Sequence, residues 1–339
     1  MWKEKLAEVL HQFGFTSSLS NESLFITSNA TLMLHIHVDD CSVTGKSEQE
    51  IMTFLTSLNK KLKLKLKKNP TQHLGYTIMW NKFKIQLSQT DLILKLLEQN
   101  DMKECKPVKT PCNGNFLQEI NSIKEPIKTT EYQQSIGSLN YLAQHTRPDI
   151  MFNVNQLSRF STTPSTKHWV ELKHLLCYLK GTVNVYLKYT KSTPIHLTSK
   201  LTGWADADYG NARDNRKSIS GNLVLFFNNS ISWLSKKQSL VAQSTTEAGY
   251  ISINICAKQL QWLTFVLKDL GQNITKPTLF NDNSGAVIIY KKETLNANTK
   301  HIEICFQYLR DCVTKKLLAI VQVSSNQMIA DILTKPLST

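Results

Sequence analysis

Three aspartates in the C-terminal part of the chain constrain its fold most strongly, because each stands at the edge of an apolar run. They are Asp206 in the string GWADADYG, Asp282 in NDNSGA and Asp331 in ADILTKPL. Carboxylates so far apart in sequence can serve one site only if folding brings them together. We therefore expect two strands and a helix to bring these side chains to one edge of a sheet, where open α/β sheets place their sites.

The residues around these strings follow strand and helix periods. Apolar runs at 201–207, 219–227 and 230–236 are typical of strands, and the pattern at 246–269 is that of a long helix. Strand and helix then alternate to the end of the chain. A run of strands followed by alternating strands and helices predicts an α/β (α+β) fold in which helices cover a mixed sheet.

Three converging carboxylates favour the binding of divalent cations. Mg²⁺ and Mn²⁺ are hard ions that prefer carboxylate oxygens, and Mg²⁺ in particular keeps several of its waters. Two such ions activate a water and stabilise the leaving oxygen of a phosphodiester. Taken singly, each aspartate is more often a helix cap or a surface residue, so the prediction depends on the three strings occurring together.

Charge and cysteine content limit the classes of protein to which this chain can belong. The 339 residues carry a formal net charge of +14, spread along the sequence, which favours polyanionic partners although many basic proteins bind none. The seven cysteines include no C-x-x-C pair and so indicate reduced thiols rather than a zinc site or a disulfide framework. We expect an intracellular protein, cytoplasmic or nuclear. Its N-terminal segment reads as an amphipathic helix, neither a signal peptide nor a membrane span.

The N-terminal hundred residues combine short strands and helices. SLFITSN and TLMLHIHV predict strands that meet DDCSVTG, and 47–59 predicts an amphipathic helix. The run KKLKLKLKK alternates lysine and leucine, which predicts a half-buried strand with Lys63, Lys65 and Lys67 on its polar face. These lysines are either simply solvated or contact phosphates. HLGYTIMW and FKIQLSQ predict a further strand pair, and a helix follows at 89–99.

The middle of the chain changes from a connector to helices. Residues 101–128 have scattered Pro, Asn and Lys and little periodicity, which predicts a surface connector. Residues 130–182 are strongly helical in pattern. Pro148 stands where a helix can begin, and Gly181 ends an apolar helical stripe.

Long strings of this sequence resemble the Pol polyproteins of copia-type LTR retrotransposons. LTGWADADYGNARDNRKSISG, LFNDNSGA, TKHIEICFQYLRDCV and NQMIADILTKPL are similar to the ribonuclease H domain of that family, in family order. SIGSLNYLAQHTRPDIMFNVNQLSRF and HWVELKHLLCYLKGT look like the segment before it, and HVDD, HLGYTI and KPVKTP look like the later part of the reverse transcriptase. The resemblance implies a partial palm and thumb at 1–112, a helical connection at 113–198, and a ribonuclease-H-like domain with a five-stranded sheet at 199–339.

For the reverse transcriptase part, the resemblance makes Asp39 and Asp40 the palm acids that hold Mg²⁺, at a tight turn between two strands. The family also needs a third aspartate, upstream of residue 1, together with the fingers. His37 stands where the family has a tyrosine. We therefore expect no independent RNA-templated DNA synthesis.

For the nuclease part, Asp206, Asp282 and Asp331 match three metal-binding positions that serve two Mg²⁺ or Mn²⁺ ions. The family string Ser-Ser-Thr-Glu-Ala-Glu-Tyr has its catalytic carboxylate at the second Glu, where this chain has Gly249 in STTEAGY. Glu247 lies two residues earlier, about 200° away around a helix. It can substitute only if the helix begins later or its first turn is irregular.

The remaining candidate residues have two readings each. Arg216, Lys217, Lys236 and Lys237 either contact the backbone of a nucleic acid or are solvated. His301 is either a mobile histidine that assists product release, as in some ribonucleases H, or a structural histidine.

Two hypotheses about function follow. In the first, the chain is an enzyme fragment that cleaves the RNA strand of an RNA–DNA hybrid, alone or with the rest of a Pol polyprotein. In the second, it is a degenerate, non-catalytic transposon relic that binds nucleic acid through backbone charge. Neither requires a membrane. The glycine at 249 favours impaired cleavage, because a lost metal ligand costs orders of magnitude in rate.

Overall fold

The structure is a computed structural model that describes residues 2–113, 128–191, 201–210, 215–289 and 303–336. The chain divides into two compact units. The first comprises Met1–Pro70 with Gln259–Thr275, and the second comprises Thr71–Lys258 with Lys276–Thr339.

This division differs from the three segments predicted from the sequence, whose boundaries lie at 112 and 198. The reason is packing: Ile93, Leu96 and Leu97, from the first predicted segment, belong to the same buried core as the helices that follow residue 128. The assignment of polymerase, connection and nuclease functions to the three segments stays a prediction.

The first unit contains a four-stranded antiparallel sheet with strand order β1-β2-β3-β4 and two helices. These elements are α1 (Trp2–Gln12), β1 (Phe15–Ser17), β2 (Leu24–Thr27), β3 (Leu32–His37), β4 (Asp40–Gly45) and α2 (Glu48–Leu62). Leu32, Leu34 and Ile36 alternate along β3 and are buried against the helices. The strands and the helix predicted between 23 and 59 are confirmed.

The run KKLKLKLKK does not form the predicted strand. Its first residues complete α2, and Lys63 takes a left-handed conformation (φ 48°) that ends the helix. Residues 63–67 belong to no helix or strand, and Lys65 and Lys67 are exposed, as is Lys63. Helical spacing prevails over alternation because Leu58 and Leu62 continue the apolar face of α2 against the core.

The second unit contains an antiparallel sheet of order β5-β6-β7-β8 and a group of helices. These elements are β5 (Gln72–His73), β6 (Tyr76–Trp80), β7 (Lys84–Ser88), α3 (Thr90–Gln99), α4 (Thr129–His145), α5 (Met151–Ser158), α6 (Thr166–Gly181) and β8 (Leu187–Thr190). The predicted strand pair, the helix at 89–99 and the helical region at 130–182 are confirmed. The apolar stripe of α6 is fully buried in the core of this unit.

A buried ion pair connects the turn between α4 and α5 to the end of α6. Arg147 is 1% exposed, and its Nε and Nη2 donate to Asp149 Oδ1 and Oδ2 at 2.9 and 2.7 Å. The same guanidinium donates to Thr182 O and Thr182 Oγ1 at 3.1 and 2.7 Å, and Tyr178 Oη donates to Asp149 Oδ2 at 2.9 Å. The string TRPDI therefore holds two helices together.

His168 closes a capping box at the start of α6. Its Nδ1 accepts a hydrogen bond from the backbone N of Ser165 at 2.8 Å, so Nδ1 carries no proton. His168 is 3% exposed, and burial lowers the pKa of its imidazole to about 4. Charging this ring would break the cap and place a cation in an apolar environment.

We expect His168 to make the second unit less stable in mild acid. The unfolded chain takes up this proton near pH 6.5 and the folded chain only near pH 4, so stability falls as pH drops through that window, by up to about 3 kcal/mol. His168→Asn keeps an oxygen that can accept from Ser165 N but removes the titration. Urea denaturation between pH 4 and 7 should give a steeper loss for the wild-type chain, and parallel curves would contradict this assignment.

The second unit also contains a mixed five-stranded sheet of order β11-β10-β9-β12-β13. These elements are β9 (Leu201–Asp208), β10 (Ile219–Phe226), β11 (Asn229–Lys237), α7 (Thr245–Asp269), β12 (Thr278–Asn281), α8 (Ser284–Ile289), α9 (Glu303–Thr314) and β13 (Ala319–Gln322). Strand β10 is antiparallel to β9 and β11, whereas β12 is parallel to β9 and β13. This confirms the predicted α/β fold with a five-stranded mixed sheet. Helix α7 contributes residues to both units.

The five-stranded sheet packs directly on the helices α4 to α6. Ile219 of β10 is part of the same buried cluster as those helices, and Trp233 of β11 packs against it. Trp233 Nε1 donates to Ala143 O of α4 at 2.8 Å. Across the described ranges, no helix combines the length and the apolar character that a membrane span requires.

Candidate active site

Asp206 lies near the end of the central strand β9, on the face that a short C-terminal segment covers. Its side chain is 7% exposed. Its backbone O accepts a hydrogen bond from Ser252 Oγ of α7 at 2.6 Å, and the neighbouring Ala205 O accepts one from Asn281 Nδ2 of β12 at 2.6 Å. The strand that carries the first aspartate is thus fixed from two sides.

Gly221 allows the C-terminal segment to approach this aspartate. It pairs with Asp206 across β9 and β10. A Cβ atom at 221 would lie 2.5 Å from Thr334 Cγ2 and 2.9 Å from Leu333 Cβ. Only a residue without a side chain leaves room for the 3₁₀ helix Ile329–Leu333 to lie on the sheet.

Gly221→Ala should therefore disrupt the site and destabilise the unit by roughly 1–3 kcal/mol, because backbone and side chains must move to avoid overpacking. Gly137→Ala is the matched control: a Cβ there meets nothing within 4 Å, and alanine is favoured in the middle of α4 by about 1 kcal/mol. Urea denaturation measures both variants. Equal effects of the two substitutions would contradict the close approach.

The other two predicted acids lie at the same edge of the sheet. Asp282 follows β12 directly, and its Oδ2 accepts a hydrogen bond from Ser325 Oγ at 2.8 Å. Asp331 lies within the 3₁₀ helix rather than in a longer α-helix. Thr334, one turn later, donates from Oγ1 to Asp206 Oδ2 and so joins the segment to β9. We call Asp206, Asp282 and Asp331 the acid cluster.

The electrostatics show that these three carboxylates interact. Burial raises the pKa of Asp206 to about 6. The hydrogen bond from Thr334 lowers this pKa, and the charges of Asp331 and Asp282 raise it. Folding therefore brings Asp331 and Asp282 within electrostatic range of Asp206, and the role of the three acids as metal ligands stays a prediction.

Lys335 is the cation nearest to these acids that the structure shows. Its Nζ lies 2.9 Å from Asp331 Oδ2, and its backbone N donates to Asp331 O at 3.1 Å. Burial by itself lowers the pKa of Lys335, but the hydrogen bond to Asp331 and the charges of Asp206, Asp331 and Asp282 outweigh it and raise the pKa.

The acid cluster fits a divalent cation in chemistry but not in spacing. Its donors are carboxylates, and Asp331 Oδ1 is buried with no hydrogen-bond partner among the described residues. Yet within the described ranges no three side chains of His, Cys, Asp or Glu stand close enough together to hold a metal ion as they are placed. The side chains have to draw together before they share an ion.

Glu247 does not join the acid cluster. It is 5% exposed, and its Oε2 accepts a hydrogen bond from the backbone N of Gln243 at 2.8 Å. Its own N donates to Ser244 Oγ at 3.1 Å, just before α7 begins at Thr245. Glu247 therefore stabilises the start of the helix, in the manner of a capping-box residue.

Gly249 faces the loop that carries Asp282. A Cβ atom at this position would lie 3.3 Å from Ala286 Cβ and 3.4 Å from Asn283 Cβ. Asn283 is the residue after Asp282, and its Oδ1 accepts a hydrogen bond from Ala286 N at the start of α8. The position that lacks a carboxylate is thus directed toward the site, and Glu247 is not.

Asp39 and Asp40 lie in the other unit, at a tight hairpin between β3 and β4. His37 pairs with Asp40, and Val38 at the turn has a φ of 53°, an unfavourable conformation for a β-branched residue. Both aspartates are exposed. The predicted turn is confirmed, and the role of these acids as metal ligands stays a prediction.

Four of the predicted basic residues, Arg216, Lys217, Lys236 and Lys237, lie at the end of the sheet where β9 finishes. Lys236 and Lys237 are the last residues of β11 and pair with Ser220 and Ile219 at the start of β10. Because neighbouring strands lie about 4.8 Å apart, this end of β11 is about 10 Å from β9. Arg216 is exposed and Lys217 donates from Nζ to Ser239 O at 2.6 Å, in the segment before β10. His301 lies outside the described residues.

Sequence reasoning missed the side chains that organise the acids. Thr334 and Lys335 were inside the string that drew attention to Asp331, and Lys335 lies four residues after it. That spacing is the one at which charged side chains pair in helical segments, so the ion pair left a weak signal in the sequence. Ser325 left none.

The fold and the site define an α/β protein with interacting acids at the edge of a mixed sheet. The family described as reverse transcriptase (RNA-dependent DNA polymerase) matches residues 1–114. The Retrovirus-related Pol polyprotein from transposon RE1 of Arabidopsis thaliana is 34% identical over 99% of this chain, and that from transposon TNT 1-94 of Nicotiana tabacum is 35% identical over 98%. The chain belongs to this family of retrotransposon Pol polyproteins of the copia type.

These matches cover only part of each relative. The chain spans 23% of the length of the Arabidopsis polyprotein and 26% of that of the tobacco polyprotein. Among solved structures, LC11-RNase H1 isolated from compost is similar over 40% of this chain and 94% of its own, with 13% identity and a TM-score of 0.32.

Proposed function

We propose that the chain is a reverse transcriptase and ribonuclease H portion of a retrotransposon Pol polyprotein whose nuclease site is impaired. The ancestral reaction is hydrolysis of the RNA strand of an RNA–DNA hybrid. The observation that carries this proposal is the edge of the five-stranded sheet: Asp206, Asp282 and Asp331 interact there, and Gly249 faces the same loop without a carboxylate. Family membership supports the substrate class.

In this proposal Asp206, Asp282 and Asp331 would hold the Mg²⁺ or Mn²⁺ that the reaction needs, once their side chains had drawn closer than they stand here. When bound, such an ion activates a water and stabilises the charge that develops on the phosphate. The chain's own residues orient the ligands. Thr334 fixes Asp206, Ser325 fixes Asp282, and the close approach at Gly221 positions Asp331. With glycine at 249 one ligand is lost, and the rate falls by orders of magnitude.

We propose no DNA synthesis from the residues of this chain alone. Asp39 and Asp40 are two exposed carboxylates at a hairpin. The neighbouring His37 is exposed too, in place of the family tyrosine.

A second candidate function is binding of nucleic acid without cleavage. It is favoured by the net charge of +14 and by Arg216, Lys236 and Lys237, which lie at the end of the sheet where β9 finishes. Basic side chains of this kind contact phosphates rather than bases, so the affinity should not depend on the sequence of the nucleic acid. An RNA–DNA hybrid would be recognised by its shape and its sugar hydroxyls.

One experiment separates the two functions. An RNA–DNA hybrid is incubated with the chain as it stands and with Gly249→Glu, and both binding and cleavage are measured in Mg²⁺ and in Mn²⁺. Binding that weakens steeply between about 50 and 200 mM salt supports phosphate contacts. Cleavage that appears only with the glutamate supports an impaired nuclease, whereas robust cleavage by the unaltered chain would overturn the impairment.

A further inference from the structure

The turn between β6 and β7 exposes aromatic and basic side chains together. Trp80, the last residue of β6, is 51% exposed, and Phe83, the residue before β7, is 68% exposed. Lys82 lies between them in sequence and is exposed as well, with its Nζ 5.8 Å from the centre of the Phe83 ring. Large apolar side chains that are exposed side by side mark a surface for interaction with another molecule.

Hydrogen bonds hold this turn in one conformation. Asn81 Oδ1 accepts from Phe83 N and from Lys84 N, both at 2.9 Å, and Asn81 N donates to Lys84 O at 3.0 Å. The base of the hairpin is held too, because Tyr76 Oη of β6 and His145 Nδ1 of α4 are hydrogen-bonded at 2.6 Å. A ring that projects from a fixed turn loses little conformational entropy when a ligand stacks on it.

Two further segments meet the β6–β7 turn. Lys191, which follows β8 directly, donates from its backbone N to Phe83 O at 2.9 Å. Thr190 N donates to Asn229 Oδ1 at 2.8 Å, and Asn229 Nδ2 donates to Thr190 O at 3.2 Å. Asn229 begins β11, so the turn between β10 and β11 lies at the same place. We call the exposed side chains here the turn surface: Trp80, Lys82, Phe83 and Lys191.

The segments that form the turn surface carry no acidic side chain. Residues 71–88 and 183–191 contain four lysines and no aspartate or glutamate, and residues 226–230 of the β10–β11 turn are uncharged. Of these lysines, Lys82, Lys188 and Lys191 are exposed. A surface of one sign attracts ligands of the other sign, so the partner of the turn surface is expected to be an anion.

Single-stranded nucleic acid combines the two properties that the turn surface requires. It has a charged phosphate in every nucleotide, and its bases are free to stack on aromatic side chains, whereas the bases of a duplex are stacked on one another. The β6–β7 hairpin also lies within residues 1–114, which match the family of RNA-dependent DNA polymerases. An acidic protein or an anionic membrane offers the charge but not the flat rings.

The turn surface is separate from the acid cluster. Strand β10 pairs with Asp206 through Gly221 and reaches its turn after Phe226. Five residues of strand correspond to roughly 17 Å. A ligand on the turn surface therefore lies at the other end of the five-stranded sheet from Asp206.

We propose that the turn surface binds single-stranded nucleic acid, with bases stacked on Trp80 and Phe83 and phosphates held by Lys82 and Lys191. The inference rests on the proposed function only for the class of partner. It goes beyond that function in assigning a second site, a different form of nucleic acid and the side chains that bind it.

Fluorescence anisotropy with a labelled oligothymidylate of about 12 nucleotides, in EDTA, tests the stacking. Phe83→Ala should bind at least about tenfold more weakly than the wild type. Phe83→Trp keeps a ring and should retain affinity, and Phe83→Leu is apolar without a ring and should bind as weakly as the alanine variant. Phe265→Ala removes a ring that is 54% exposed on α7 and should match the wild type. An unchanged affinity of Phe83→Ala or of Phe83→Leu would overturn the proposal.

The same assay at several salt concentrations tests the phosphate contacts. Lys82→Gln and Lys191→Gln should each lower the slope of log affinity against log salt by about 0.7, and Lys315→Gln, on α9, should leave it unchanged. Equal slopes in all three variants would contradict the assigned contacts.

Polyglutamate and vesicles of phosphatidylserine and phosphatidylcholine distinguish the other anionic partners. Binding to either that is tighter than binding to the oligothymidylate, and that is lost in Phe83→Ala, would overturn the proposal in favour of an acidic protein or a membrane. None of these measurements uses a metal ion or cleavage. A failure of the turn surface is therefore distinguishable from a failure of the nuclease assignment, which Gly249→Glu tests.

Discussion

Gly249→Glu is expected to raise Mg²⁺-dependent cleavage of an RNA–DNA hybrid by roughly a hundredfold or more over the chain as it stands. A metal ligand contributes several kcal/mol of charge stabilisation, and each 1.4 kcal/mol is about a factor of ten in rate. The backbone at 249 faces Asn283 and Ala286, next to Asp282. A glutamate there extends from the first turns of α7 toward the acid cluster.

Packing at this position allows the substitution with a small adjustment. The new Cβ would lie 3.3 Å from Ala286 Cβ and 3.4 Å from Asn283 Cβ, so α8 has to shift by a few tenths of an ångström. Glycine is also a poor residue inside a helix, and replacing it compensates part of that cost.

Gly249→Gln provides the matched control for this experiment. It has the same shape and the same packing as the glutamate but no charge, so it should fold equally well and remain inactive. Cleavage restored by both variants would mean that packing rather than a carboxylate was missing. No gain with the glutamate, in a protein that circular dichroism shows to be folded, would refute the assignment of position 249.

Arg147→Met is expected to destabilise the second unit by about 3–5 kcal/mol. The substitution leaves Asp149 without the partner that neutralises it and leaves Thr182 O without its donor, and breaking one side of a buried pair costs this much. Urea denaturation followed by tryptophan fluorescence measures the loss, since Trp169 and Trp233 pack against the core that Arg147 borders.

The exposed pair Lys103–Glu98 supplies the comparison. Its side chains are 59% and 65% exposed, so Lys103→Ala should cost less than about 1 kcal/mol. A double variant that replaces both Arg147 and Asp149 by apolar residues should recover part of the loss, because no unpaired charge remains. If Arg147→Met were no worse than Lys103→Ala, the ion pair would not hold α6 to the turn before α5.

Local patterns predicted most of the elements, and failed where two patterns overlapped. In KKLKLKLKK a period of two and a helical period both fit, because Leu62 is common to them. The helix forms because Leu58 and Leu62 pack against the core of the first unit. The sequence of the run does not reveal that this core lies beside it. The strands that carry Asp206 and Asp282 had no such ambiguity, since each is a bounded apolar run.

At the candidate site, the angle between successive residues around a helix was enough to predict that Glu247 and Gly249 face different directions. The structure agrees, because Glu247 bonds to Gln243 N while Gly249 faces Asn283. Lys335 could not be assigned in this way. Its position among the acids depends on a 3₁₀ turn that rests on Gly221, more than a hundred residues earlier in the sequence.

By itself the sequence indicated where the strands of the five-stranded sheet lie and that Glu247 and Gly249 face different directions, because strand runs and helical rotation are local properties. Only the tertiary structure decided how Asp206 and Asp282 are compensated, since Thr334 bonds to Asp206 across 128 residues of sequence and the charge of Lys335 acts on both acids. Burial and charge at one point depend on every segment that folds there, and no single string contains that information.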